Sequence, residues 1–406
     1  MDTTTAKGGT PGDKSPRIGF PYDSLAEEWL MLNSGETLGR SNFVIGESGS
    51  GKSSYLFDRF RVYLSSTADA VADYNLTEAR DQRELRLSQV GADIDDRVHV
   101  RRCPSLEQWQ RHLTKSAQLF RSEYGRPKSR GPTGFLISSV DSVTGVTSEK
   151  VIEGIEEVGH ATLTHAIDAN ILTTYLKYIP NQVSLWPWIF TAVCHIKYDI
   201  EKRGLYTVKV PRIPGGDTVR YHATSILLFK RIGAVEREDC DGGNKIVVKT
   251  FKNSLGIRDR ELEVEMLWWF ENGVQTTRWD WNTATTRLLL KHIRKDQPDL
   301  EDIVSFPIVH DQARACSCPK VGIRKPAPFA EIGAAINADA TLRAEIRKFY
   351  GIHEVVPYRP DVPWFTQIEE AVAAGKTAEQ PRNEDAPVSD GEVVDALPGS
   401  AYAEGT

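Results

Sequence analysis

Runs of β-branched, aromatic and other apolar residues fall at 42–45, 70–74, 97–101, 134–140, 189–194, 223–230, 245–251 and 261–270. Stretches with the apolar spacing of helices separate the earlier runs. Such alternation predicts an α/β core whose mostly parallel sheet is flanked by helices. The last three runs lie close together across turn sequences such as Asp241-Gly242-Gly243-Asn244 and Glu271-Asn272-Gly273. Turns of that kind favour hairpins, so this end of the sheet is expected to be antiparallel and the sheet as a whole mixed.

Outside the core the pattern weakens. Residues 1–20 are rich in Thr, Gly, Lys and Pro and are expected to be disordered, whereas Ser24 to Leu30 reads as a capped amphipathic turn of helix. A core spanning 21–294 is therefore expected to give way to a small C-terminal region at 295–376. The stretch 377–406 is acidic and rich in Pro, Gly and Ala, and reads as a disordered tail.

With 406 residues, 40% of them hydrophobic, the chain can bury one sizeable core. A formal net charge of −6 excludes a protein coated in positive charge but still permits local basic loops. No apolar run reaches the roughly 18 residues needed to span a bilayer, and Met1 to Lys14 is polar, so a cytoplasmic protein without a membrane partner is expected. Five cysteines at irregular positions suit reduced thiols. Cys316 and Cys318, with His310 nearby, lack a fourth metal ligand at a familiar spacing and are read as loop thiols.

The strongest chemical signal is Gly46-Glu47-Ser48-Gly49-Ser50-Gly51-Lys52-Ser53, followed by Ser54, between the first apolar run and a helix expected to begin near Lys52. Glycines at this spacing let backbone N–H groups converge on phosphates, the lysine reaches the β and γ oxygens, and the hydroxyl of Ser53 ligates Mg²⁺. ATP and Mg²⁺ are the expected ligands. Such a loop needs a carboxylate to hold the metal through water, and Phe135 to Val140 is an apolar strand that ends in Asp141-Ser142. Glu78, just beyond the second strand, is a candidate to activate water, with Glu84 and nearby acids as competitors.

Several segments stand in a telling order. The phosphate loop is followed by Glu78, Gly91-Ala92-Asp93-Ile94-Asp95-Asp96, Pro104-Ser105-Leu106-Glu107-Gln108, Asp141-Ser142, Cys194-His195 and Gly215-Gly216. From about Asn42 to Ile293 this order resembles the RecA family of DNA recombinases, and is most similar to its phage-type UvsX branch. The resemblance implies a DNA-dependent ATPase that forms helical filaments on single-stranded DNA and pairs it with homologous duplex DNA. It also implies work alongside single-strand-binding and mediator proteins. A RecA-fold helicase or motor, or a mediator paralogue, are the alternative readings.

Residue roles follow from the same resemblance. Glu78 falls on the family's catalytic glutamate, and His195 stands where the family carries a γ-phosphate sensor. Of two loops that hold DNA, the first would cover 148–165. The second would lie between His195 and Gly215, with Lys197, Lys202, Arg203, Lys209 and Arg212 interleaved with Tyr198 and Tyr206. Cations neutralise phosphates while tyrosines stack on bases, which suits single-stranded DNA. Arg220 and Tyr221 would lie at a subunit interface. Lys252 matches one of two lysines that reach a neighbour's ATP, while Ser254 replaces the other and Arg258 or Arg260 would substitute for it. Little folded sequence is expected before Gly46, so the family's long N-terminal helix would be short or missing. Asp73-Tyr74-Asn75-Leu76 is more polar than a buried strand is expected to be.

Overall fold

The computed structural model describes residues 17–67, 70–77, 97–124, 134–149, 151–153, 164–183, 186–203, 206–213, 216–253, 259–271, 274–295 and 297–374. The chain opens with β1 (Ile18–Pro21), α1 (Leu25–Met31) and β2 (Gly35–Thr37). Next come β3 (Arg40–Gly46), α2 (Lys52–Ser66), β4 (Ala70–Leu76), β5 (Val98–Arg102) and α3 (Leu106–Tyr124). They are followed by β6 (Phe135–Asp141), α4 (Thr164–Val183) and β7 (Trp188–His195). A hairpin of β8 (Lys197–Arg203) and β9 (Tyr206–Arg212) leads to α5 (Gly216–His222). The meander β10 (Ser225–Val235), β11 (Gly242–Asn253), β12 (Glu261–Glu271) and β13 (Val274–Trp279) completes the large sheet.

That sheet has nine strands in the order β13-β12-β11-β10-β3-β7-β6-β4-β5. Neighbours from β10 to β5 pair in parallel, and those from β10 to β13 are antiparallel. Parallel strands covered on both faces need apolar residues throughout, and Phe43, Val44 and Ile45 of β3 are all buried. Their alternation divides the core. Phe43, Ile45, Phe190 and Ala192 face α3 and α4 through Trp109, Leu113, Leu172 and Leu176. On the opposite face Ile189 and Val193 meet Phe57, Phe60 and Leu64 of α2. Residues Val44, Phe229, Val248 and Val264 form a third cluster with Tyr55, Trp279 and Trp281.

The C-terminal portion folds back on the start of the chain. After α6 (Trp281–Ile293) and α7 (Pro298–Ile303), a small antiparallel sheet of β14 (Val309–His310), β15 (Ala315–Cys318) and β16 (Ile323–Pro328) leads to α8 (Phe329–Ala338) and α9 (Ala340–Tyr350). Then β17 (Val356–Pro357) pairs in parallel with β1, and α10 (Trp364–Ala373) follows. The Glu28 carboxylate of α1, with no exposed side-chain surface, accepts from Arg343 at 2.7 Å and from Arg347 Nε at 2.8 Å.

Several expectations need correction. Ile18–Pro21 is a strand, and β1, α1 and β2 all precede Gly46, since apolar Ile18, Phe20 and Leu25 are buried. Ser24 caps α1 by accepting from Glu27 N, as its sequence suggests. Strand β13 was not foreseen. Cys316 and Cys318 are buried in β15 rather than in a loop, and burial pushes the Cys316 thiol up to about 12. Among the described residues no group of three or more His, Cys, Asp or Glu could hold a metal ion. Polar β4 is buried because its side chains find partners. Asn75 Nδ2 donates to Ser139 O at 2.9 Å, Asp73 pairs with Arg101 at 3.2 Å and the Tyr74 hydroxyl donates to Asp141. Among the described residues no helix is long and apolar enough to cross a membrane.

Candidate nucleotide site

Register brings the candidate groups to one end of the sheet. Gly46 ends β3 opposite His195 of β7 on one side and Phe229 of β10 on the other. One strand further, Asp141 of β6 pairs with Val193, and Leu76 of β4 pairs with Asp141. Carboxyl ends of parallel strands are where open α/β sheets bind ligands.

Between β3 and α2 the loop from Gly46 to Gly51 turns back on itself. A Cβ at Gly46 would come within 2.3 Å of Phe229 O, so the neighbouring strand admits only glycine there. Gly51, at φ +86°, caps α2 in the left-handed region and lies against Met266 and Trp279. The first turn of α2 carries no acidic residue, and its N-terminal amides, with the positive end of the helix dipole, suit an anion.

Lys52 is buried, and its ammonium donates to Glu47 O at 2.6 Å. The Ser50 hydroxyl donates to the same carbonyl at 2.8 Å. Lys52 Nζ also lies 3.5 Å from Ser50 Oγ and 3.5 Å from His195 Nδ1. An ammonium has only protons to give, so the contact suits the tautomer with its proton on Nε2. Glu47, Ser48 and Gly49 are exposed, Ser53 is half-buried and Ser54 is buried.

Asp141 is buried, and its Oδ2 accepts from the Tyr74 hydroxyl at 2.8 Å. A cis peptide joins it to Ser142. Thr77 holds this corner, since its N–H donates to Asp141 O at 2.9 Å and its hydroxyl to Ser142 O at 2.6 Å. Glu78 follows Thr77 directly and lies outside the described residues, as do Glu84 and 91–96. Sequence reading did not single out Tyr74 or Thr77. Their signal was the polarity of a strand that ought to have been apolar.

The segment from His195 to Gly215, read as a loop, is largely a two-stranded hairpin. Lys197 pairs with Arg212 at its root, and Arg203 pairs with Tyr206 near its tip. Strand alternation assigns positions Lys197, Arg203, Tyr206 and Arg212 to one face of the hairpin, and Tyr198, Lys202 and Lys209 to the other. At the root, Ile196 N donates to Gly46 O at 3.2 Å. Burial raises the pKa of the Tyr198 phenol, as does the Glu47 carboxylate to which it donates. The hairpin therefore touches the loop from Gly46 to Gly51 through backbone and side chain. Of the first expected DNA loop, 154–163 lie outside the described residues. Its start is tied to α3, where the Ser105 hydroxyl donates to Glu149 at 3.0 Å and Glu149 N to Glu107 at 2.7 Å.

Arg220, Tyr221 and Lys252 come together elsewhere. Lys252 donates to the carbonyls of Arg220 and Tyr221, the Arg220 guanidinium lies 5.2 Å from the Phe251 ring centroid, and Tyr221 is 79% exposed. Lys252 pairs with Ile226, which pairs with Phe43, three residues before Gly46. It thus lies two strands away from β3 and about 10 Å back along the sheet from the loop. Its own chain's loop from Gly46 to Gly51 is out of reach. Ser254 and Arg258 lie outside the described residues, whereas Arg260 is committed to α1 through Trp29, its guanidinium 4.9 Å from the ring and donating to the carbonyl. Desolvation lowers that arginine's pKa to about 10.

No family model matches the chain. It is 24% identical over 127 residues to the DNA repair protein recA homolog 3, mitochondrial, of Arabidopsis thaliana. The similarity covers 31% of this chain and 29% of that protein, so it spans less than a third of the relative it matches. It suggests the RecA family at the coarsest level and does not speak for the UvsX-like branch. The mixed, mostly parallel sheet flanked by helices is compatible with a RecA-like core.

Proposed function

We propose that this chain is an ATP-dependent DNA recombinase of the RecA type, in its phage-type UvsX branch, assembling on single-stranded DNA and pairing it with homologous duplex. The carrying observation is the convergence of Lys52, Asp141 and His195 on one end of the sheet, with the basic hairpin starting directly after His195.

The residues suit a magnesium nucleotide. Lys52 and Ser50 both donate to one loop carbonyl, the kind of donor set that a phosphate would draw to itself, and a buried carboxylate stands one strand beyond His195. Lys52 and the amides of 48–53 would hold the phosphates, while Ser53 and, through water, Asp141 would hold Mg²⁺. When bound, Mg²⁺ neutralises charge on the phosphate oxygens. Tyr74 fixes the Asp141 carboxylate by donating to one of its oxygens. Glu78 would take a proton from water, and its position after Thr77 puts it in the stretch that follows the anchored corner. His195 would donate to the γ-phosphate, and because Ile196 is bonded to Gly46, its displacement bears on the hairpin root.

Lys252 has its place at a neighbour's nucleotide, beside Arg220 and Tyr221, which would make hydrolysis depend on assembly. Lys197, Tyr198, Lys202, Arg203, Tyr206, Lys209 and Arg212 would contact DNA. Cytoplasmic location and help from single-strand-binding and mediator proteins complete the proposal. Its test is the ATPase rate with and without single-stranded DNA at several protein concentrations. Stimulation that rises cooperatively with concentration is expected, and ATP binding without any stimulation would refute the recombinase reading.

A further inference from the structure

Where β6 ends, its ladder with β7 ends too. The last pair is Asp141 with Val193, two residues before His195. Beyond it a short turn, Val143–Gly145, takes over, and the Thr144 hydroxyl oxygen accepts the His195 backbone N–H at 3.2 Å. The same oxygen lies 3.0 Å from Ser142 Oγ. A threonine hydroxyl has one proton and two lone pairs, so it can serve both partners at once.

From this geometry we infer that Thr144 is a positioning residue. It ties the metal-side corner, Asp141-Ser142, to the backbone of His195 and so sets where the imidazole stands against Lys52. This assignment rests on the nucleotide-site reading above and adds to it a residue that touches neither phosphate nor DNA. His195 is held from two sides, by Thr144 at its own N–H and by Gly46 O at the N–H of Ile196. A shift of the Asp141-Ser142 corner therefore moves His195 relative to the phosphate loop. Without the hydroxyl, corner and imidazole keep only the looser tie through the strand pair Asp141–Val193.

Thr144 is exposed, so its hydroxyl can be removed without opening the core. The experiment compares the full chain with Thr144→Val, which keeps the shape and loses the hydroxyl, and with Thr144→Ser, which keeps the hydroxyl. Steady-state ATP hydrolysis is measured at saturating single-stranded DNA. In Thr144→Val kcat should fall about tenfold while KM for ATP stays within about twofold, and Thr144→Ser should stay within about twofold of the unmodified chain in both. Thr144→Ala, too small to clash, must reproduce the Val defect. A Val or Ala variant with full kcat, or a Ser variant as impaired as Val, overturns the assignment. An unmodified chain that turns over no ATP with DNA overturns instead the reading on which it rests.

Discussion

Single residues in this protein are held by opposing pulls of burial and pairing. Arg59 of α2 is buried against the rings of Tyr22 and Tyr63 and pairs with Glu27 at 3.3 Å. Desolvation outweighs that pairing at Glu27 and pushes its carboxyl up to about 8. A carboxyl raised in the folded state favours folding while protonated, so its contribution is full below the ordinary carboxylate range and is lost as pH rises through about 8. His292 has the opposite character. Packed against Trp29, 2.7 Å from the Tyr350 hydroxyl and desolvated, it is held down to about 4. Its contribution is present above the ordinary histidine range and is lost as pH falls through about 4. Thermal melts against pH should thus show a maximum between these limits. Glu27→Gln should flatten the alkaline slope and His292→Gln the acidic one, and a substitution that leaves its slope intact would refute the assignment.

Elements depend on a few contacts between distant parts of the chain. Helix α1 is short and owes its place to Glu28, whose buried carboxylate meets Arg343 and Arg347 of α9. Removing one side of a buried ion pair leaves uncompensated charge, so Glu28→Ala should cost about 3 kcal/mol in denaturant unfolding, and much more than Asp311→Ala at an exposed pair. The hairpin gives a second prediction at this scale. If Lys202 and Arg203 each neutralise one phosphate, replacing both by Ala should reduce the salt slope of single-stranded DNA binding by about 1.4. Nucleotide affinity should not change. An unaltered slope would mean that DNA does not follow this hairpin.

At the scale of the whole molecule the question is whether one chain makes a complete site. Lys252, with Arg220 and Tyr221, lies away from its own chain's Gly46–Gly51 loop, so the proposed assembly predicts that two inactive chains complement each other. Lys52→Ala lacks the loop's cation and Lys252→Ala lacks the neighbour's. Mixed in equal amounts with single-stranded DNA, they should regain part of the ATPase activity that neither has alone, because some boundaries then combine an intact loop with an intact Lys252. Lack of recovery, with both variants still assembling, would place Lys252 outside the catalytic machinery.

How far the sequence reached follows from the kind of information each feature carries. The glycine-rich turn from Gly46 to Gly51, the eight apolar runs and the Ser24 cap are local, set by glycine spacing, side-chain period and one hydroxyl, and each was legible along the chain. Asp141 could be placed at a strand end for the same reason. The polarity of β4, a strand expected at 70–74, has its reason in Asn75, Asp73 and Tyr74 being satisfied by Ser139, Arg101 and Asp141 on neighbouring strands, partners that no local window contains. Charge alternating with aromatic residues between His195 and Gly215 has no helical period, and its hairpin emerged only from pairing across the turn. Cys316 and Cys318 seemed to belong to a loop, but their burial came from packing of the small sheet on α6 and α8. The sequence by itself determined the glycine-rich turn ahead of α2 and which runs become strands, because those properties belong to neighbours along the chain. Only the tertiary structure decided that Thr144 would meet His195, that Lys252 would stand away from its own loop and that Glu28 would clasp α9, because strand order and register bring residues distant in sequence within bonding distance.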